Sequence, residues 1–181
     1  MERRAKIILF VGGLLSFVLS GFKNDLSKDT LIRPPGALSE PEFLAACLRC
    51  GKCAQRCPRR AIEIGRGELG LAIGTPYIVP RKVPCDLCLE CASVCSSGAL
   101  RKVEKPQVKM GIAKIDKESC LAWKGDECKL CYTSCPFYPQ AIQLEEHKRP
   151  MVDRTICVGC GICEYVCILD PPAISIKVGR C

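Results

Sequence analysis

A small α+β protein built from repeated cysteine-bearing units, preceded by an apolar helix, is the fold class that this 181-residue sequence predicts. Three observations lead to it. Sixteen of the seventeen cysteines fall into four groups on nearly one ruler: Cys47, Cys50, Cys53, Cys57; Cys85, Cys88, Cys91, Cys95; Cys120, Cys128, Cys131, Cys135; and Cys157, Cys160, Cys163, Cys167. A short apolar alternation follows the last cysteine of every group, at residues 61–64, 99–103, 141–144 and 173–176, and reads as strand. Near the start, residues 7–22 run without a charge.

The N-terminal element opens Met1-Glu2-Arg3-Arg4-Ala5-Lys6 and continues into the apolar run, the order of a charged n-region and an h-region. Its length lies between a cleaved signal and a spanning helix, which needs about 20 residues. The basic start should stay in the cytoplasm and the remainder should face outward. Arg3-Arg4 adds the twin-arginine possibility, a signal that exports proteins already folded. Residues 1–22 are therefore expected to be a twin-arginine-like signal or membrane anchor, with membrane contact through residues 7–22. Residues 23–42, polar and broken by Pro34-Pro35-Gly36, read as a tether.

Two further segments carry the cysteines: residues 43–110 with groups one and two, and residues 111–181 with groups three and four. Groups one, two and four read C-x2-C-x2-C-x3-C. This is the ligand run of bacterial ferredoxins, where each group supplies three thiolates to one 4Fe-4S cluster and the fourth to another. Sixteen thiolates fill four such clusters. A disulfide framework would instead spread partners to close long loops. Zinc ribbons use two separated pairs and leave the third and fourth cysteines of each run unexplained. Pro58 and Pro136 follow the last cysteine of their groups, turning the chain away, whereas Ser96 and Ile168 hold that place in the others. Gly51, Gly159 and Gly161 lie between ligands, where the backbone must wrap a cluster closely.

Strand-like stretches at 112–116 and 151–153 precede groups three and four, so a unit reads strand, ligand loop, short helical turn, strand. Two units make one bacterial-ferredoxin-like domain, with the clusters as much of its core. A hairpin over residues 141–153, tipped by Glu145-Glu146-His147-Lys148-Arg149, would pair group three with group four. A similar hairpin over residues 99–116 would nest groups two and three inside the outer pair, and the ruler leaves both arrangements open. In group three, residues 121–127 separate Cys120 from Cys128; this longer loop can cover the site or present Trp123, the single tryptophan. The glycine- and proline-bearing residues 59–84 read as irregular chain between units.

The formal net charge of +8 does not by itself indicate nucleic acid. Sixteen thiolates set against four clusters of formal charge 2+ bring the loaded protein near neutrality, and no aromatic and basic interleaving of the nucleic-acid-binding kind is present. Arg59, Arg60, Lys82, Arg101, Lys102, Lys148 and Arg149 are candidate cations for raising cluster potentials. The single histidine, His147, leaves no triad or histidine pair, and no G-x-G-x-x-G opens a helix. The expectation is an electron carrier without a substrate site of its own. Cys181 is left over.

Beyond the cysteines, Arg33-Pro34-Pro35-Gly36-Ala37-Leu38, Phe43-Leu44-Ala45-Ala46-Cys47, Gly74-Thr75-Pro76-Tyr77 and Cys157-Val158-Gly159-Cys160-Gly161 resemble the NapG/MauM polyferredoxins across residues 33–178. The resemblance implies that the sixteen cysteines are the ligands of four 4Fe-4S clusters. It also implies an exported carrier at the periplasmic face of the cytoplasmic membrane. Such a carrier would take electrons from a quinol-oxidising membrane protein towards periplasmic nitrate reductase or its cytochrome, or serve methylamine utilisation. Two other roles fit the same residues: the electron-transfer subunit of a larger, molybdenum-type oxidoreductase, and a MauM-like assembly factor for a periplasmic metalloenzyme.

Overall fold

The computed structural model describes residues 31–67 and 69–178. The expected signal or anchor, the first part of the tether and Cys181 lie outside them. Among the described residues no helix is long and apolar enough to cross a membrane. The chain is mixed helix and strand, with every helix short and three two-stranded antiparallel sheets among the described residues.

Helix α1 (Glu40–Ala46) starts with Pro41 and two acidic residues in its first turn, where fixed φ and the helix dipole favour them, and it buries Phe43 completely. Group one follows, with α2 (Lys52–Arg56) rising from Gly51 at φ 72°. Strand β1 (Ile62–Ile64) pairs with β2 (Pro76–Ile78) in the register Ile62↔Ile78, Glu63↔Tyr77, Ile64↔Pro76. Group two leads into α3 (Glu90–Ser93) and then to Leu100, which bridges back to Ala37.

The second half repeats this order with fuller strands. Strand β3 (Ile112–Ile115) enters group three, whose helices are α4 (Leu121–Lys124) and α5 (Leu130–Thr133). Strands β4 (Ile142–Glu145) and β5 (Arg149–Val152) form a hairpin with His147 at its tip in a left-handed conformation. Group four carries α6 (Ile162–Tyr165), and β6 (Ile174–Lys177) returns to pair with β3, Ala113 facing Ile176. Alternation explains the strands: Ala113 is buried and Lys114 exposed in β3, while Ile174 and Ile176 turn inward in β6.

Three expectations need correction. Residues 59–84 are not irregular: they contain β2 and a 3-10 turn at Gly70–Ala72, held by a fully buried Thr75 and by Ile78, which is also bridged by Ile32. Residues 99–103 do not form a strand. Their partner segment is broken by Pro34-Pro35-Gly36, so pairing stops at the hydrogen bonds Leu38 N–H to the Ala99 carbonyl (3.1 Å) and Arg101 N–H to the Gly36 carbonyl (2.8 Å). Finally, residues 31–42 are part of the fold rather than a free linker. Arg33 is 6% exposed and its guanidinium is satisfied on every side: by Glu40, by Thr75 Oγ1 at 2.9 Å, by the Pro76 carbonyl at 2.7 Å, and by the Phe43 ring beneath it at 4.6 Å.

Candidate metal centres

The first cysteine of groups three and four is placed by its own turn. Asp116 and Asp153 take equivalent positions ahead of groups three and four. Each backbone carbonyl accepts the N–H of the first cysteine, Cys120 at 3.0 Å and Cys157 at 2.9 Å. Their carboxylates close the turn on Ser119 Oγ (2.7 Å) and on Thr155 Oγ1 (2.6 Å), and those hydrogen bonds hold both carboxyls below the usual carboxylate range.

Two clefts show how the groups combine. One, of about 410 Å³, is lined by Cys120, Cys128 and Cys131 of group three together with Cys167 of group four, among Ile115, Leu121, Pro150 and Ile174. The other, of about 300 Å³, is lined by Cys85, Cys88 and Cys91 of group two together with Cys57 of group one, beside Ile62 and Ile78. In each, three thiols come from one group and the fourth from its neighbour along the chain. One reciprocal set follows the same rule. Cys135 lies within electrostatic reach of Cys157, Cys160 and Cys163. Cys53 is close to Cys47 and Cys50, and Cys95 packs on the same apolar core as Cys47 and Cys53. The adjacent arrangement, not the nested one, is the one these contacts describe.

The thiols sit in unequal surroundings. Cys85, Cys91, Cys157, Cys160 and Cys163 are buried, whereas Cys50 and Cys88 are exposed. Burial pushes the Cys53 and Cys160 thiols up to about 11 and those of Cys85, Cys91 and Cys131 up to about 12; burial, then its cysteine neighbours, also raises Cys163 well above the ordinary thiol value. Such thiols become thiolates only when a cation site forms among them, with release of their protons. Cys95 is the exception. Burial opposes its ionisation, but donors from Ser97, Leu100 and Gly98 outweigh that and hold it below the ordinary thiol value. The backbone also aims N–H groups at sulfur: Ala61 at Cys57 (3.4 Å), Leu87 at Cys85 (3.4 Å), Leu100 at Cys95 (3.3 Å) and Ala113 at Cys157 (3.5 Å). Hydrogen bonds of this kind tune iron-sulfur potentials.

The residues inserted in group three form α4, ended by Gly125; from it Leu121 lines the larger cleft. Trp123 stands one step back, donating to the Pro150 carbonyl (3.2 Å) with Lys117 and Arg149 over its ring. Among the candidate cations, Lys82 is engaged by Glu63 and Lys148 by Glu127, both at the surface. The cation that touches a ligand residue is one the sequence did not single out. Arg81 donates to the carbonyls of Cys167 (2.7 Å) and Leu169 (2.9 Å). No local pattern marks it, because its partners come much later in the chain.

No protein-family model matches the sequence. Curated relatives do. The chain is 44% identical over 160 residues to the ferredoxin-type protein NapG of Escherichia coli K12, covering 80% of this chain and 69% of that protein. It is 40% identical over 159 residues to the methylamine utilization ferredoxin-type protein MauM of Methylophilus methylotrophus, covering 81% and 70%. NapG of Haemophilus influenzae is 37% identical over 161 residues, covering 80% and 58%.

Proposed function

The chain belongs to the NapG/MauM family of ferredoxin-type proteins, and on that premise we propose that it carries electrons through four 4Fe-4S clusters at the periplasmic face of the cytoplasmic membrane. Its donor would be a quinol-oxidising membrane protein and its acceptor a periplasmic reductase. The electron-transfer role follows from the family; the cluster count, location and direction are our reading.

The observation that carries the cluster count is the crossed composition of the clefts: three thiols from one group and the fourth from its neighbour. Soft thiolates in sets of four suit iron-sulfur clusters, and crossed sharing is the ligand rule of two-cluster ferredoxins. When bound, each cluster takes up and returns one electron. The chain supplies the thiols, the N–H donors aimed at them and an apolar lining that limits water. It also repeats one order in both halves, outer contact, ligand loop, inner strand pair, ligand loop, outer contact, which supports two tandem ferredoxin-like domains.

Anaerobic purification followed by iron and acid-labile sulfide analysis tests this reading. About sixteen of each per chain are expected from four cubanes; about eight, or bound zinc, would overturn it.

A further inference from the structure

The ligand loops of groups one, two and four share a backbone shape but not its residues. Each turns left-handed twice: at Arg49 (φ 53°) and Gly51 (φ 72°), at Leu87 (φ 60°) and Leu89 (φ 63°), and at Gly159 (φ 75°) and Gly161 (φ 83°). Arg49, Leu87 and Leu89 show that the loop accepts a side chain at either position. Only group four uses glycine at both.

The surroundings explain the difference. A Cβ on Gly51 would meet nothing within 4 Å, whereas one on Gly161 would fall 2.3 Å from the Pro80 Cβ and one on Gly159 2.5 Å from the backbone of Gly111. Pro80 precedes group two and Gly111 opens the second segment, so the group-four loop is packed on one side by the first half and on the other by the junction between the halves. Backbone hydrogen bonds line the same seam. The Cys85 N–H donates to the Cys160 carbonyl (3.0 Å) and the Met110 N–H to the Val158 carbonyl (3.0 Å), while Arg81 holds the Cys167 carbonyl. Val158 and Cys160 are buried in the apolar core of the first half, Cys157 and Cys163 in that of the second.

We infer that this seam sets the four cysteine sites in a single line: Cys47/Cys50/Cys53/Cys95, then Cys57/Cys85/Cys88/Cys91, then Cys135/Cys157/Cys160/Cys163, then Cys120/Cys128/Cys131/Cys167. Pro80, Gly159 and Gly161 are positioning residues that keep the two middle sites together. Within each half the sites meet through third cysteines, Cys91 near Cys53 and Cys163 near Cys131; between halves they meet at Cys85 and Cys160. Sequence order is thus not spatial order, because group four lies inside and group three at an end. The inference rests on the cluster reading above. An electron crossing the seam leaves the Cys85 site one unit more oxidised and the Cys160 site one unit more reduced, and no bond is made or broken.

The test uses the full-length, cluster-loaded chain, fully reduced with dithionite and read by electron paramagnetic resonance. The wild type should show magnetic coupling running through all four sites. Gly161→Ala, at unchanged iron content, should lose the coupling across the seam and show two separately coupled pairs. Adding Pro80→Gly to Gly161→Ala should restore it by removing the collision. Two independent pairs in the wild type, or full coupling in Gly161→Ala, would overturn the inference. Should Gly161→Ala fail to hold iron, the wild-type spectrum decides alone. A low iron and sulfide count in the wild type is a different outcome, which refutes the cluster reading. In that case amide exchange at Cys85 and Met110 still reads the seam: protection in the wild type that persists in Gly161→Ala refutes the positioning role.

Discussion

The two halves close the same circuit with different materials. In the second half the outer contact is a strand pair, β3 with β6, and the inner one a hairpin with a three-residue tip. In the first half the outer contact shrinks to the bridge of Ala37 with Leu100, and a long connection, residues 65–75, joins β1 to β2. What the first half lacks in ladder it replaces by burial and charge: Phe43 lies under the Arg33 guanidinium, which reaches both α1 and β2. A ligand loop therefore needs its two ends held, and backbone pairing is only one way to hold them.

The largest effects should come from the fourth cysteines, on which the likeness of the halves depends. Cys167→Ala and Cys57→Ala should each remove about four iron atoms per chain, because each thiol completes one cubane. Where the opening falls is the decisive reading. In Cys167→Ala, native-state alkylation and mass spectrometry should find Cys120, Cys128 and Cys131 newly reactive, not the three cysteines of its own group. In Cys57→Ala the newly reactive thiols should be Cys85, Cys88 and Cys91. Reaction within the mutated group in either half would break the comparison.

Next come the residues that substitute for strands. Phe43 is fully buried, and truncation of such a side chain costs about 3–5 kcal/mol. Phe43→Ala should therefore lower the temperature at which cluster absorbance bleaches, with the first-half cysteines exposed first. Arg33→Ala should act in the same direction but less strongly, by about 2 kcal/mol, the scale of lost hydrogen bonds to a charged group, since the Glu40 carboxylate it abandons retains partial access to water. Equal exposure of both halves in either variant would show that the latch is not local to the first.

These same residues mark where sequence reading succeeds and where it stops. The cysteine ruler is legible because ligand geometry is local, and the β4–β5 hairpin because its two alternations adjoin a charged tip. Strand β2 is hidden since Pro76 and the glycines before it suggest loop, while its stability comes from Arg33, far earlier in the chain. The 99–103 stretch has strand composition but a partner interrupted by prolines. Arg81 and the glycines of group four answer to the seam, a tertiary contact that no local pattern encodes. Which group lends its fourth thiol to which set is also tertiary, and the ruler fits both solutions.

The smallest expected effect sharpens the comparison at the centre of the two inner hairpins. Where β4–β5 sets Gln143 opposite Met151, β1–β2 sets Glu63 opposite Tyr77, with Lys82 closing on the carboxylate. The Lys82 hydrogen bond, then that of Tyr77, holds the Glu63 carboxyl below its ordinary value of 4.5. A carboxyl depressed in the folded state stabilises above its unfolded pKa and loses that contribution as pH falls through the folded one. Acid should therefore loosen β1–β2 slightly from below about pH 4.5 downward, the unfolded carboxylate value, through a central pair that β4–β5 lacks, since Gln143 and Met151 carry no ionisable group. Since this pair is largely in water, the effect should be small and screened by salt. Amide exchange at Tyr77 and Met151, followed across that range with and without Lys82→Met, measures it: the variant should flatten the Tyr77 profile and leave Met151 unmoved, and a Tyr77 profile that the variant does not flatten would show that the charge does not distinguish the hairpins.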